Sequence, residues 1–436
     1  MSKDQSQISF GPVLLAPGIS KGNVWTLLWA CFVIVGFLSF VNIGQAYVIN
    51  ANLGIPVDQQ GGLSGYLAAS SELIVLAMIG FFGVYSDRIG RRPIIVAGIL
   101  IMAFSYVIYP LVDAQWHLFI ARGIYAIGIA AMIGMMGTLI HDYTDELSRG
   151  KMLALTGFFN GIGAVSVNLI FGQAPDFFAG LGAGTIAAGR YAHWLVALIL
   201  VPSALVLLKG LKGGTMVRHE ERPAVRELIV SGFSAAKNPR IALAYLSAFV
   251  SRSDFVVIGT FTVIWATIAG VEQGLTAAEG VKRGALLIVV GNSSAMLWMP
   301  VMGYIIDRIN RISALILGTA IGAFTFTAMG FIDDPLSLGA LPWFALLGVG
   351  QISCMFTAQA LIGQEANIKE RGSLIGMTGI CGAIGILLAT SVGGQLFDAW
   401  MPSAPFVLVG IANIVVFLLA IVVRFVAPGD VNRKPE

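Results

Sequence analysis

Charged residues are scarce in this sequence. Only 11% of its 436 residues are Asp, Glu, Lys or Arg, against roughly 25% in an ordinary soluble domain, while 57% are hydrophobic. So little charge cannot cover a water-facing surface, which excludes a soluble globular protein. The formal charge of +3 is small and says nothing by itself, since where the charges sit matters more, and no nucleic-acid partner is expected. Cysteine is rarer still. Cys31, Cys354 and Cys381 all fall inside apolar runs and no Cys-x-x-Cys occurs, so a disulfide framework is excluded. The four histidines are scattered without metal-ligand spacing, and no metal is expected. Gly150-Lys151 is followed by Met152, so the phosphate-cradling Gly-x-x-x-x-Gly-Lys-[Ser/Thr] is missing and ATP is not the expected energy source. No nucleophile–base constellation stands out. Neither an enzyme nor a cofactor-dependent protein is expected.

Long apolar runs are what the chain has in abundance, with a mean hydropathy of +0.85. A helix needs about 20 apolar residues to cross a bilayer. Six stretches qualify in the first half: 24–49, 63–85, 93–112, 116–140, 152–173 and 192–208. Six more follow at 241–268, 284–304, 313–332, 341–362, 373–396 and 405–426. The first run is too long for the core of a cleaved signal peptide and is expected to be a retained helix. With the amino terminus inside, 21 of the 26 Lys and Arg residues fall on inner segments, which places both termini in the cytoplasm and the chain in a plasma (inner) membrane. The expected organisation is a tail (1–23), a six-helix bundle (24–208), a linker (209–240), a second bundle (241–426) and a closing tail (427–436). Within the linker, Val225, Leu228, Ile229 and Phe233 recur at helical spacing, which suits a short amphipathic helix on the membrane surface or a single turn in a linker.

The chain is built twice. Between the second and third runs, residues 83–92 read Gly-Val-Tyr-Ser-Asp-Arg-Ile-Gly-Arg-Arg, and Gly-x-x-x-Asp-Arg-Ile-x-Arg returns at 303–311, 220 residues later. Arg149-Gly150 matches Arg371-Gly372. Gly157, Gly163, Gly172, Gln173 and Asp176 match Gly379, Gly385, Gly394, Gln395 and Asp398, all at an offset of 222. Duplicated six-helix halves are a sequence signature of secondary transporters.

The stretch 83–92 resembles the loop signature of the major facilitator superfamily, Gly-x-Leu-Ala-Asp-Arg-x-Gly-Arg-Arg, departing from it at Tyr85 and Ser86. The second copy has Asn310 and Ile312 where the signature has glycine and a basic residue. Leu118-x-x-x-Arg122, with Gly128 and Ala130-Ala131, is similar to a fourth-helix signature of proton-coupled exporters in that superfamily, with Ala126 in place of a glycine. The Gly-Pro signature that antiporters carry on the fifth helix is absent. The resemblance implies an all-α integral membrane fold, with twelve transmembrane helices in two pseudo-symmetric six-helix bundles. It also implies that Arg122 takes part in proton coupling. Finally, it implies a gating cluster of Gly83, Asp87, Arg88, Gly90, Arg91, Arg92 and Asp142, with a weaker set of Asp307, Arg308, Arg311, Glu365 and Arg371. A solvated basic loop would account for the arginines but not for the repeated Asp.

Four ionisable residues lie inside predicted helices: Glu72, Arg122, Arg252 and Asp254. A charge at a helix centre costs about 2.5–3.5 kcal/mol even on insertion scales, so such groups should face protein or water. Glu72 shares its face with Gly65, Ala68 and Ala69, and its equivalent in the second half is Asn292. It is a candidate proton or solute carboxylate; the alternative is a buried carboxyl that pins packing. Arg252 and Asp254 point about 200° apart on a helix and cannot pair with each other. Asp254 shares its face with Ser247, Ser251 and Thr262 and is expected to face the cavity. Arg252 needs a partner from another helix. Whether Arg122 acts on Glu72, Asp254 or neither stays open.

The expected function is transport of a small organic solute by alternating access, with protons, solute and bilayer as partners and a monomer as the working unit. Proton-coupled export of amphipathic compounds is the first expectation. Proton-coupled uptake of an organic anion or polar metabolite is the second, favoured by Arg252. A receptor or scaffold that kept the fold is a distant third.

Overall fold

A computed structural model describes residues 8–145, 148–214, 225–365 and 371–428. Among them the chain is helical almost throughout. The helices of the first half are α1 (Lys21–Leu53), α2 (Gln60–Ile89), α3 (Arg91–Ile108), α4 (Gln115–Tyr143), α5 (Arg149–Phe171), α6 (Ala174–Gly180) and α7 (Thr185–Gly210). Then come α8 (Val225–Ala235), α9 (Pro239–Glu272), α10 (Ala277–Arg308), α11 (Arg311–Ala328), α12 (Leu341–Glu365), α13 (Arg371–Ala399) and α14 (Ala404–Val426). All except α8 contribute to the twelve segments long and apolar enough to cross a membrane, α5 and α6 together making one of them, and each segment overlaps one of the expected runs. The helices outrun their apolar stretches. With 33 residues, α1 is about 50 Å long against a hydrocarbon core of about 30 Å, so its ends reach the interfacial layers. Polar residues stop it there. The Ser20 hydroxyl and the Asn23 side chain form a capping box at its start, and Gly54 closes it in the left-handed conformation, φ 62°.

The described chain forms two compact units, Met1–Gly54 with Leu73–His219, and Ile55–Glu72 with Glu220–Glu436. This division departs from the expected bundle boundaries in one place. The segment from Ile55 to Glu72 packs with the second half, and α2 passes from one unit to the other between Glu72 and Leu73. In the second unit the Asp398 carboxylate accepts hydrogen bonds from the N–H groups of Gly61 and Gly62 at 2.8 and 2.6 Å, and Gln395 donates to the Tyr66 hydroxyl at 2.7 Å. Two backbone donors that no helical turn can satisfy thus meet a carboxylate at the positive end of α2.

The internal repeat reappears as packing. In the first unit, a Cβ on Gly163 of α5 would overlap the Phe32 carbonyl of α1. In the second, a Cβ on its equivalent, Gly385 of α13, would overlap the Phe249 carbonyl of α9. Between apolar helices in lipid there is little hydrophobic drive, so close backbone approach at small residues supplies van der Waals attraction instead.

Two segments outside the spanning helices have structure of their own. In the first unit the amino-terminal tail forms an antiparallel hairpin, β1 (Ser9–Phe10) with β2 (Val13–Leu14). In the second, the linker forms α8 as its spacing suggests. The Tyr245 hydroxyl donates to the Gly232 carbonyl at 3.0 Å, while Phe233 stays 65% exposed.

Valine at Gly163 or Gly385 should destabilise the protein by about 1–3 kcal/mol, the usual cost of overpacking. Gly376→Val, where a Cβ meets open space, should be close to neutral. Thermal unfolding of the detergent-solubilised variants checks this; equal loss at all three positions would contradict it.

Candidate functional site

In the second unit Glu72 and Arg252 form an ion pair, Nη2 to Oε1 at 3.6 Å. Each stands near the middle of its helix, α2 and α9. The Glu72 side chain is 16% exposed and that of Arg252 44% exposed, so the pair is sheltered but reachable. The arginine stem crosses α13 where Gly382 has no side chain; a Cβ there would overlap Cδ of Arg252. Opposite charges at this separation offset much of the cost each would carry alone at membrane depth. Asn292 is only partly buried, with its neighbour Ser294 donating to the Gly291 and Ala345 carbonyls at 2.8 and 2.6 Å.

Asp254 lies elsewhere than expected. Its side chain has no exposure and points into the second unit, toward α11, α12 and α14, not into a cavity. Asn413 of α14 donates to Oδ1 at 3.2 Å, and the Cys354 thiol of α12 donates to the Asn413 carbonyl oxygen at 3.1 Å. Oδ2 has no hydrogen-bond partner among the described residues. Of the polar face that suggested a cavity, Ser247 is satisfied locally, donating to the Leu243 carbonyl one turn back at 2.7 Å, and Ser251 and Thr262 are buried.

In the first unit Arg122 is 6% exposed. It donates to the Asn42 side-chain oxygen at 3.1 Å and lies over the Tyr125 ring, 5.1 Å from its centroid. Tyr106, Tyr109 and Tyr125 are all buried around it. The Tyr109 hydroxyl donates to Gln45 at 2.8 Å, and the Tyr109 ring stacks on buried His193, whose Nδ1 is 2.8 Å from the Gly189 carbonyl.

At one end of the first unit, α2, α3 and α4 bring part of the loop signature together. Arg91 pairs with Asp142 at 3.2 Å and donates to the Ser86 hydroxyl at 2.8 Å, with its side chain 9% exposed. Gly90 takes φ 94°, which L side chains rarely adopt, and the Gly214 carbonyl fills the space a Cβ would need. The Arg92 guanidinium covers Gly213, Arg88 is exposed, and Gly83 meets open space. The side chains of Asp87 and Arg371 lie outside the described residues. The weaker set in the second unit is dispersed. Arg311 pairs with Asp307 at 3.5 Å and donates to the Ile306 carbonyl, Arg308 stacks on Tyr304 at 4.0 Å, and Glu365 is engaged by Arg240 at 3.1 Å.

Sequence reasoning passed over Asn42, Gln45, the buried tyrosines, His193, Asn413 and Asp398. Only Asp398 carried a signal, as the repeated acid four residues after a glycine, matched by Asp176. The others are ordinary residues in apolar runs until folding gathers them.

The family model described as Major Facilitator Superfamily matches residues 27–390. The magnetosome protein MamH of Paramagnetospirillum magneticum is 29% identical over 399 residues, 88% of each chain. The class C tetracycline resistance protein of Escherichia coli is 26% identical over 386 residues, 85% of this chain and 91% of that one. Among solved structures, the nucleoside transporter NupG superposes with a TM-score of 0.72 over 92% of this chain and 98% of its own, at 12% identity, a likeness of fold alone.

Asn413→Leu leaves Asp254 buried without its donor and should cost about 1–3 kcal/mol. The double variant Asp254→Leu with Asn413→Leu removes both polar partners and should recover much of that loss. Thermal unfolding of the three proteins decides it; a double variant no more stable than the single would refute the pairing.

Proposed function

This chain belongs to the major facilitator superfamily, and we propose that it is a secondary active transporter that exports a small organic solute in exchange for protons by alternating access. The observation that carries this reading is the Glu72–Arg252 pair, a reachable carboxylate and guanidinium at mid-membrane. The tetracycline resistance relative supports export. The twelve spans and the family support an integral protein of the inner membrane, and the Lys and Arg distribution supports cytoplasmic termini.

Chemistry follows from the pair. Ionised Glu72 can attract a cationic group of an amphipathic solute, and a proton on the same carboxyl abolishes that attraction. Solute and proton then compete, which is the condition for exchange. The second reading, uptake of an organic anion or polar metabolite with a proton, draws on the half-exposed Arg252. Protonating Glu72 removes the guanidinium's partner and leaves it available to an anion, so proton and solute bind together. The two readings require opposite pH dependence of solute binding. Asp254 and Arg122 are assigned supporting roles, Arg122 as a fixed positive field in the first unit.

The Arg91–Asp142 pair, with Ser86 behind it, is read as a latch at the cytoplasmic end of the first bundle. Its two side chains are 9% and 19% exposed, a sheltered pair whose release would have a cost.

Purified protein in liposomes with an imposed pH gradient tests the function directly. Export coupling predicts that cationic probes bind more tightly as pH rises, and that Glu72→Gln abolishes both this dependence and gradient-driven movement. Tighter binding of anionic probes at lower pH would favour the uptake reading, and gradient-driven transport that persists unchanged in Glu72→Gln would remove the proton role. For the latch, Asp142→Asn should slow turnover several-fold with solute affinity unchanged; a wholesale loss of binding would count against it.

A further inference from the structure

The amino-terminal hairpin of the first unit is bonded to the same place as the Arg91–Asp142 pair. Tyr143, the residue after Asp142, accepts a hydrogen bond at its carbonyl from the Ala16 N–H at 3.1 Å. Leu15 bridges Thr144 in antiparallel fashion. Asp145 donates its N–H to the Leu14 carbonyl at 3.0 Å, and the Leu14 N–H donates to the Ser148 hydroxyl at 3.0 Å. The α4–α5 loop therefore gains strand-like backbone bonds to a segment more than 120 residues away in the chain. The tail is also anchored by apolar contacts. Val13, Leu15 and Ile19 are 0%, 2% and 1% exposed, and Phe10 meets the edge of Trp25 with centroids 5.2 Å apart.

The end of α7 is tied to the same residue. The Lys212 N–H donates to the Tyr143 hydroxyl at 2.8 Å, and its Nζ is 3.5 Å from the Pro17 carbonyl. Tyr143 is thus held by the tail through its backbone and by the chain after α7 through its phenol. Its own neighbour is the acid of the ion pair.

We propose that residues 8–19 are an intramolecular strap that fixes the α4–α5 loop and, through Tyr143, holds Asp142 against Arg91, so that the strap sets how readily this pair releases. The strap itself stands on backbone bonds and burial. Its effect on turnover rests on the latch reading given above. A loop with few contacts of its own opens easily, whereas one stitched to a segment anchored by buried Val13, Leu15 and Ile19 opens only when that segment does. Releasing the strap frees Asp142 to leave Arg91 while the pair's own atoms stay intact. The occupant of this surface is thereby the chain's own tail, an arrangement in which anything that draws the tail away would act on transport from outside the membrane.

Hydrogen exchange of the full protein in lipid nanodiscs, read alongside turnover in liposomes, tests this. Two variants are used: deletion of residues 2–16, and Leu15→Asp in the full chain, which places a charge at a buried strap position. The second serves where the deletion fails to fold. The strap predicts that the amides of Thr144, Asp145 and Ser148 exchange at least about tenfold faster in either variant, with α9–α14 unchanged. It also predicts that turnover changes in the direction produced by Asp142→Asn, with solute affinity retained. Unchanged exchange at Thr144, Asp145 and Ser148 would overturn the strap. Faster exchange with unaltered turnover, in a protein where Asp142→Asn does alter turnover, would overturn its hold on the pair. Unaltered turnover in Asp142→Asn as well would instead bring down the latch reading.

Discussion

A charge held at membrane depth must be answered by another group, and the described structure is arranged around several such answers. They differ in kind. Asp254 is met by a side-chain amide inside a packed bundle, and Arg122 by an amide oxygen and an aromatic face. Such neutral partners are fixed in place and cannot leave without opening a core. Glu72 and Arg252 answer each other, remain partly exposed, and are separated by 3.6 Å rather than locked in a short bidentate contact. An ion pair of this kind, unlike the fixed neutral partners of Asp254 and Arg122, has a partner that a proton or another charge can replace. Burial alone therefore does not single out a functional charge; the ability of its partner to be replaced does.

The same scarcity of water governs the backbone. Helices satisfy their interior hydrogen bonds but leave donors at each start and acceptors at each end. At the start of α1 and α10 these are met by the chain's own capping boxes, Ser20 with Asn23 and Thr276 with Glu279. At the start of α2 they are met by Asp398, from the far end of the second repeat. That borrowed cap explains why residues 55–72, first-half by sequence, pack with the second unit.

Much of this was legible from residue order. Run length marks the twelve spans, because crossing a bilayer is a length requirement, and the offset of 220 to 222 marks the duplication that Gly163 and Gly385 express as matching backbone contacts. The geometry of a helix also dictates that Arg252 and Asp254 diverge. Which of them turns outward was not legible. Counting polar neighbours favoured Asp254, but hydroxyls such as that of Ser247 bond the carbonyl one turn back and need no water. Arg252, on the more aromatic face, needs only one carboxylate and one absent side chain, at Gly382. The hairpin was hidden for another reason. Its bonds to Thr144, Asp145 and Ser148 are backbone and tertiary, and short apolar pieces such as Val13–Leu14–Leu15 look the same in a loose tail.

These pieces meet in α2. The helix is continuous from Gln60 to Ile89 and contains no proline. Near its middle it carries Glu72, whose charge is answered by Arg252. Fourteen residues on, about four turns, it carries Ser86, which accepts from Arg91, the partner of Asp142. Its first turns are seated on α13 in the second unit, while Ser86 lies in the first. The seat on α13 is held by Asp398 and Gln395. At Ser86 the hold is one hydroxyl behind an ion pair, and the loop that positions that pair is itself stitched to the tail.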